Sequence, residues 1–371
     1  MQTLQPTLRL GRDVWDRVAM PVAEFLTRAD ALRDAMAVSD LDALLLYGRG
    51  LNECGHPTYV ANYIVKLPFA ALVVLPRHGE PALMFEGATR GREAAKATTW
   101  IEDVRPCWNL SEACLSVLAD RQLTNKTLGL VGMPRLVPYD QWQLLVAALD
   151  RATLVDAEAI VDRQRAIKSP REIEQMRRAS QVAAAAMKRV IGPRAARLTE
   201  MDLAAEVMRN ARRAGAEDIR LMIGRPDRMG WTFQPPEQQR LDENATFALH
   251  LAVSWERYWW EVTRTYRVRA EEIERLWSDG LEQRYREFAA AFQPGVVGRD
   301  AVRRAQDILT PEEWQAVELF GVGHGIGITP EEAPVLSGRC DVTLRSGMCL
   351  VVRTALRAGG ALVVHGETTI V

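Results

Sequence analysis

Apolar residues near the start of the chain follow helical spacing in some segments and form short aliphatic runs in others. Residues 21–38 carry apolar side chains at helical intervals, which predicts a helix with one buried face. Aliphatic runs bounded by glycine, proline or charge predict buried strands at 41–47, 69–76, 81–85 and 127–131, with helices at 111–120 and 139–150. This mixture predicts an α/β domain of about 150–160 residues.

Apolar density falls between residues 162 and 169, and a different pattern follows. Ser169, with Pro170 after it and Glu172 three residues on, predicts the capped start of a helix that extends to about residue 190. Thr199 and Asp202 predict a second capped helix. The remaining pattern predicts strands at 219–223, 245–253, 258–268, 350–356 and 361–371 and helices at 199–214, 271–292 and 299–309. We expect an α/β N-terminal domain over residues 1–165 and an α+β C-terminal domain over residues 166–371.

Composition and charge exclude several classes of protein. Apolar residues make up 48% of the 371 residues and charged residues 26%, which is typical of globular proteins. The net charge of −1 does not favour nucleic acid or an anionic membrane as a partner. No apolar run approaches the length of a membrane span, and the first residues lack a secretion-signal pattern. With five cysteines and no CxxC pair, we expect reduced thiols in a cytoplasmic protein.

Five segments of the second half resemble motifs of the pita-bread family of methionine aminopeptidases, prolidases and creatinases. The segments are KSPREI at 168–173, YWWEVTRT at 258–265, GHGIG at 323–327 with EAP at 332–334, LRSGM at 344–348 and ETT at 367–369. Their order and intervals match the family across some 200 residues. The resemblance implies a pita-bread catalytic domain, preceded by the accessory α/β domain of the prolidase and creatinase branch.

In the peptidases of this family, two Asp, one His and two Glu hold two divalent metals, and a bridging water attacks the peptide carbonyl. The matching positions here are His250, Glu261, His324, Arg353 and Glu367. A two-metal site needs about four carboxylate charges, and this set offers two. Arginine stays protonated and cannot ligate, so we expect an enzyme without a metal cofactor. One ion held by both histidines and both glutamates remains an alternative.

The resemblance also implies roles for these side chains. His324 or His250 would be the general base, because the unperturbed pKa of histidine lies near 6.5. Glu261 and Glu367 would donate a proton or stabilise a cationic nitrogen, and Arg353 would bind a substrate carboxylate. The structural alternatives are a satisfied core histidine at position 250, ion pairs between the glutamates and arginines, and an Arg353 that merely neutralises them.

Further residues are candidates for the substrate pocket. Glu331 stands at the position of a second family histidine, and Trp231 lies near that of a remote catalytic histidine. Trp259 shares a strand face with Glu261, whereas Tyr258 points to the other face of the same strand. His365 shares a strand face with Glu367. Lys66 lies near where creatinase places an arginine of the neighbouring subunit, which implies a homodimer. The pocket candidates are therefore Lys66, Trp231, Tyr258, Trp259, Glu331, Arg353 and His365.

Creatinase and ectoine hydrolase are the family's precedents for metal-free reactions on small nitrogen compounds. The resemblance therefore implies a metal-independent hydrolase, or a lyase, that cleaves a non-peptide C–N bond in a small compound bearing a carboxylate. A mononuclear metalloenzyme and a non-catalytic binding protein are the alternatives. Xaa-Pro peptidase activity is not expected, because its two-metal chemistry lacks its ligands here.

Overall fold

The computed structural model describes residues 15–50, 52–65, 68–188, 190, 192–193, 198–226, 232–269, 272–358 and 361–371. The chain divides into two compact units, Met1–Arg165 and Ala166–Val371. Among the described residues, no helix combines the length and the apolar character that crossing a membrane requires.

The first unit is a mixed α/β domain, as the sequence predicts. Its elements are α1 (Val22–Val38), β1 (Ala43–Arg49), α2 (Gly55–Ala61), β2 (Ala70–Pro76), β3 (Ala82–Glu86), α3 (Arg92–Lys96), β4 (Asp103–Cys107), α4 (Leu110–Asp120), β5 (Thr127–Val131), α5 (Met133–Leu136), α6 (Tyr139–Ala148), β6 (Thr153–Asp156) and α7 (Glu158–Ala166). The strands form one sheet in the order β4-β3-β2-β1-β5-β6. Strand β1 is antiparallel to β2 and parallel to β5. Both faces of β2 are buried, which explains its unbroken run of apolar residues.

The second unit is an α+β domain built on a large antiparallel sheet. Its elements are α8 (Pro170–Met187), β7 (Gly192–Pro193), α9 (Glu200–Arg213), β8 (Ile219–Gly224), β9 (Phe233–Gln234), β10 (Thr246–Trp255), β11 (Tyr258–Arg269), β12 (Glu272–Arg275), α10 (Asp279–Ala289), α11 (Gly298–Ile308), α12 (Pro311–Phe320), β13 (Gly323–Gly325), β14 (Glu332–Leu336), β15 (Cys349–Ala358) and β16 (Ala361–Ile370). The main path of the sheet runs β14-β13-β15-β16-β11-β10-β8-β9, and β12 and β7 extend it beside β11.

Helix starts in this domain are fixed by side-chain caps. The Ser169 hydroxyl accepts from the backbone N–H of Glu172, whose carboxylate accepts from the backbone N–H of Ser169. Thr199 and Asp202 form the same reciprocal pair at the start of α9. These two helices therefore begin where the sequence predicts. Helix α12 was not predicted, although Thr310 caps it in the same way.

The predicted helix over 271–292 is wrong in its first part. Residues Glu272–Arg275 form strand β12, which pairs with β11, and the helix begins only at Asp279. The hydroxyl of Ser278 accepts from the backbone N–H of Leu281 and fixes that start. A capping serine and a free sheet edge therefore outweigh the helical spacing of this segment.

Helices cover one face of the large sheet. Tyr258 of β11 points towards α8, and its hydroxyl donates to the carboxylate of Glu172, with an O–O distance of 3.0 Å. Leu281 and Phe288 of α10 share a buried cluster with Leu350 and Val352 of β15. Because side chains alternate along a strand, the neighbouring residues of β11 and β15 point to the opposite face. The candidate site lies on that opposite face.

Candidate active site

Four of the predicted residues meet on the face of the large sheet opposite to α8 and α10, each from a different strand. His250 of β10 lies opposite Thr263 of β11, two residues from Glu261. Thr263 lies opposite Gly366 of β16, and Gly366 lies opposite Arg353 of β15. Residues directly opposite each other in a sheet point to the same face, so His250, Glu261 and Arg353 share one face. The fourth residue, His324 of β13, lies opposite Val351, two residues from Arg353.

An arginine–glutamate pair forms the centre of the site. Nε and Nη2 of Arg353 donate to Oε1 of Glu261 over 2.9 and 2.6 Å. Nη1 of Arg353 donates to the carbonyl oxygen of Phe320 over 3.2 Å. The Glu261 side chain is 4% exposed and that of Arg353 16%, so the pair is shielded from water. Arg353 therefore binds a carboxylate of its own chain, as the ion-pair alternative proposed.

The hydrogen bonds of His324 define its tautomer. Its Nδ1 lies 2.9 Å from the carbonyl oxygen of Gly325, which can only accept, so Nδ1 carries the proton. Its Nε2 lies 2.8 Å from Nη2 of Arg353, which can only donate, so Nε2 presents its lone pair. Burial, followed by the charge of Arg353, lowers the pKa of His324. His324 is therefore neutral, with both ring nitrogens already engaged.

His250 differs from His324 in having a ring nitrogen without a partner among the described residues. Its Nδ1 lies 3.2 Å from Oγ1 of Thr263 and 3.6 Å from Oε1 of Glu261. Its Nε2 forms no hydrogen bond with any residue that the structure describes. Burial is the main cause that lowers the pKa of His250, against the opposing charge of Glu261. A neutral histidine with an available nitrogen has the properties of a general base.

Glu261 remains ionised despite its burial. Burial alone would raise the pKa of this carboxyl, but the neighbouring His250, Arg353 and His324 together hold it below its ordinary value. Of these three groups only Arg353 is permanently charged. At rest, the cluster of His250, Glu261, His324 and Arg353 therefore contains one carboxylate, one guanidinium and two neutral imidazoles.

Glu367 does not join this cluster. It lies opposite Val262 and Val352, so it points to the helix-covered face, where Arg264 forms an ion pair with it. Gly366 takes the place beside Arg353 instead, since a Cβ built on it would lie 3.1 Å from Cγ of Arg353. The prediction of Glu367 as a site carboxylate is corrected by this register, because a shift of one residue along a strand exchanges the faces.

His365 lies on the same helix-covered face as Glu367, as predicted, but this face is away from the site. Its ring stacks on Trp277 with centroids 4.0 Å apart and contacts Tyr285 at 4.4 Å. Its Nδ1 is buried without a hydrogen-bond partner among the described residues. Burial lowers the pKa of His365 from 6.5 to about 2. His365 is therefore a neutral core residue, and its predicted role in the pocket is corrected.

We expect His365 to make stability depend on pH. The unfolded chain binds a proton at this residue near pH 6.5 and the folded chain only near pH 2, so acidification favours unfolding. Between pH 7 and pH 5, His365 should account for about 2 kcal/mol of lost stability. His365→Phe should keep the ring stacking. In urea titrations, its free energy of unfolding should therefore fall by about 2 kcal/mol less between pH 7 and pH 5 than that of wild type. Exposed His78 provides the control His78→Asn, and parallel curves for wild type and His365→Phe would contradict the assignment.

The other pocket candidates have different positions. Trp259 lies on the site face, and Tyr258 faces α8, so Tyr258 does not line the site. Glu331 is exposed, and its charge acts on His324. Trp231 and Lys66 lie outside the described residues.

Sequence reasoning missed two groups beside the cluster. Arg220 of β8 lies opposite Ala252, which lies opposite Glu261, so Arg220 shares the site face. The Phe233 ring lies 5.7 Å from that of His250 and forms an apolar wall. Arg220 has the parity in β8 that would place it on this face, but only the strand register shows which residue it lies opposite.

The family's metal ions do not fit the side chains present. A guanidinium lies against Glu261 and engages Nε2 of His324, two of the side chains at the family's ligand positions. The carboxylate of Glu367 is on the other face, and glycine lies opposite Arg353. The mononuclear set of two histidines and two glutamates is therefore not assembled among the described residues.

The fold and the site together define a pita-bread hydrolase scaffold with an altered centre. Residues 174–371 match the model of metallopeptidase family M24, and residues 28–167 match that of the creatinase/prolidase N-terminal domain. The chain therefore belongs to family M24, which confirms the predicted family and its two-domain architecture. The creatinase-like or ectoine hydrolase-like branch stays a prediction.

Solved structures share this fold at low sequence identity. An Xaa-Pro dipeptidase from Bacillus anthracis is 22% identical, with a TM-score of 0.69, over 94% of this chain and 95% of that one. An X-Pro aminopeptidase from Thermotoga maritima is 18% identical, with a TM-score of 0.72, over 92% and 94%. The N-terminal domain of the FACT subunit SPT16 from Cicer arietinum is 14% identical, with a TM-score of 0.65, over 94% and 93%. The comparison with curated proteins gives no match.

Proposed function

We propose that this chain is a metal-independent hydrolase that cleaves a C–N bond in a small compound bearing a carboxylate. The observation that supports this most is Arg353, whose guanidinium binds Glu261 and His324 at the family's metal positions. The guanidinium at this position supplies positive charge without a bound metal ion. It also keeps Glu261 ionised beside His250.

His250 is the base in this proposal. Its Nε2 is free of hydrogen bonds to described residues, whereas both nitrogens of His324 are engaged. Oε1 of Glu261, 3.6 Å from Nδ1 of His250, stabilises the imidazolium that forms when the ring accepts a proton. The hydrogen bond between Nδ1 of His250 and Oγ1 of Thr263, over 3.2 Å, orients the ring, and the Glu261 carboxylate adds its charge.

The reaction then has two proton transfers. A water molecule gives a proton to Nε2 of His250 while its oxygen bonds to the carbon of the scissile C–N bond. The C–N bond breaks as the imidazolium returns the proton to the leaving nitrogen. The products are an amine and the acid, carbamate or urea derived from the attacked carbon of an N-acyl, N-carbamoyl or N-amidino compound, and His250 regains its resting state.

A binding protein without catalysis is the second candidate. The observation that favours it is the set of hydrogen bonds among Glu261, Arg353 and His324, which engages the guanidinium of Arg353, Nε2 of His324 and Oε1 of Glu261. Turnover distinguishes the two candidates directly.

The test uses the full chain purified without chelator, its metal content measured by mass spectrometry. N-acetyl-, N-carbamoyl- and N-amidinoglycine are offered as substrates, beside the dipeptides Gly-Pro and Ala-Pro, each with EDTA or with Mn²⁺. We expect release of glycine from one N-substituted glycine that EDTA does not reduce, and a kcat about 10²–10⁴-fold lower in His250→Gln. The control His78→Gln should keep full activity. Mn²⁺-dependent cleavage of Ala-Pro would overturn the proposal, and the absence of any turnover would favour the binding protein.

A further inference from the structure

Arg220 has a position in the site that no family motif assigns. It lies opposite Ala252, which in turn lies opposite Glu261, so the three residues form a row across β8, β10 and β11 on the site face. The side chain of Ala252, between Arg220 and Glu261 in this row, is a single methyl group. Arg220 is half-buried.

The guanidinium of Arg220 is held by an aromatic ring and, within the part of the chain that the structure describes, by no acid. Its Cζ lies 4.9 Å from the centroid of the Trp259 ring. It forms no hydrogen bond or ion pair with any residue that the structure describes. By contrast, the nearby guanidiniums of Arg353 and Arg264 are bonded to Glu261 and Glu367. Stacking on an indole orients an arginine while leaving the donors along its edge available.

The charges of the site favour an anion beside Arg220. The site contains the guanidiniums of Arg220 and Arg353 and the carboxylate of Glu261, and both histidines are neutral. The Glu261 charge is already compensated by Arg353, so the positive charge of Arg220 is in excess. An anionic group has the most favourable interaction at this point of the site.

We propose that Arg220, stacked on Trp259, binds the carboxylate of an N-acyl, N-carbamoyl or N-amidino α-amino acid. Arg220 and His250 are diagonal neighbours on adjacent strands, about 7–8 Å apart at the backbone. In such a compound the carbon attacked by water is three bonds from the carboxylate carbon, which suits this short span. The carboxylate site stands on the contacts of Arg220 alone, while the identity of the scissile bond rests on the proposed function.

The test measures binding as well as turnover. N-Acetylglycine, N-carbamoylglycine and N-amidinoglycine are titrated calorimetrically into the full chain, beside the uncharged N-acetylglycinamide. We expect at least one carboxylate probe to bind, and Arg220→Gln to weaken it at least tenfold, as expected for the loss of a charge-assisted bidentate contact. Binding of the carboxamide should be weak in both proteins. Arg220→Lys keeps the charge without the planar fork and should give an intermediate affinity.

Arg267 provides the matched control. It is a half-buried arginine of β11 on the same face, six residues from Glu261 and therefore about 20 Å along the strand. Arg267→Gln should bind the probes like wild type, and all variants should keep the wild-type melting temperature. If Arg220→Gln does not fold, Arg220→Lys alone carries the comparison.

The outcomes separate this inference from the proposed function. Tight binding that Arg220→Gln loses, without turnover, supports the carboxylate site and refutes the hydrolase. Turnover with an unchanged KM in Arg220→Gln supports the hydrolase and refutes the carboxylate site. A wild-type protein that binds none of the three carboxylate probes also refutes the site.

Discussion

Arg353→Met is expected to destabilise the C-terminal domain by about 3–5 kcal/mol, because it leaves the carboxylate of Glu261 buried without its cation. The Glu261 side chain is 4% exposed, so water cannot replace the two lost hydrogen bonds from the guanidinium. Methionine keeps much of the volume of arginine, which separates the loss of charge from the creation of a cavity. The measurement is the free energy of unfolding in urea at pH 7.

A double-mutant cycle isolates the pair itself. Glu261→Gln should also be costly, because it leaves the guanidinium of Arg353 without its carboxylate. The double variant should lose less stability than the sum of the single variants, with a coupling of about 1–3 kcal/mol. Arg357→Met is the control on the same strand, since the pair of Arg357 with Glu312 is exposed and should contribute less than about 1 kcal/mol. Additive losses at positions 261 and 353 would show that the contact carries no energy.

Local chemistry explains which parts of the fold the sequence predicted well. Ser169 and Thr199 cap α8 and α9 through side-chain hydrogen bonds that span only three residues, so the pattern alone locates the helix starts. The alternation of side chains along β11 likewise gives the faces of Tyr258 and Trp259 correctly. Neither feature depends on which element packs against which.

Non-local register explains the errors at the site. The motif containing Glu367 is retained, but its residue pairing with β15 puts Gly366 beside Arg353 and turns Glu367 away. Because side chains alternate along a strand, a shift of one residue in strand pairing moves a side chain to the other face of the sheet. A motif match does not determine the pairing. The same limit hid Arg220, which matches no motif and joins the site only through the pairing of β8 with β10.

The partner of a buried charge is also a property of the fold. Arg353 was predicted either to bind a substrate carboxylate or to neutralise a glutamate, and sequence spacing favours neither. In the structure Glu261 lies within hydrogen-bonding distance of it, and a buried guanidinium is stabilised by the nearest ionised acid. We therefore assign the role of substrate anchor to Arg220, the site arginine that has no acidic partner among the described residues.

The replacement Arg353→Glu is expected to create a metal-binding site in this cluster, which we expect to bind no metal ion in the wild type. Removal of the guanidinium frees Nε2 of His324 and leaves the introduced carboxylate facing Glu261 and the two histidines. Two buried carboxylates without a cation repel each other, so the metal-free variant should be less stable than Arg353→Met. Two imidazoles and two carboxylates form a suitable ligand set for Zn²⁺.

Thermal unfolding with and without ZnCl₂ measures this gain. At a free Zn²⁺ concentration one hundred times its Kd, the ion should stabilise Arg353→Glu by about 2.7 kcal/mol, while the wild-type melting temperature stays unchanged. Arg353→Gln is the matched control, because it removes the cation without adding a carboxylate, and it should gain much less from zinc. His56, Glu158 and Asp162 of the first unit could also hold zinc, so His324→Gln is compared in both backgrounds. Equal stabilisation of wild type and Arg353→Glu that His324→Gln removes would contradict the view that the guanidinium excludes a cation from this site. That result would also remove the main support for a metal-independent reaction, since Arg353 would then coexist with the ion that it is proposed to replace.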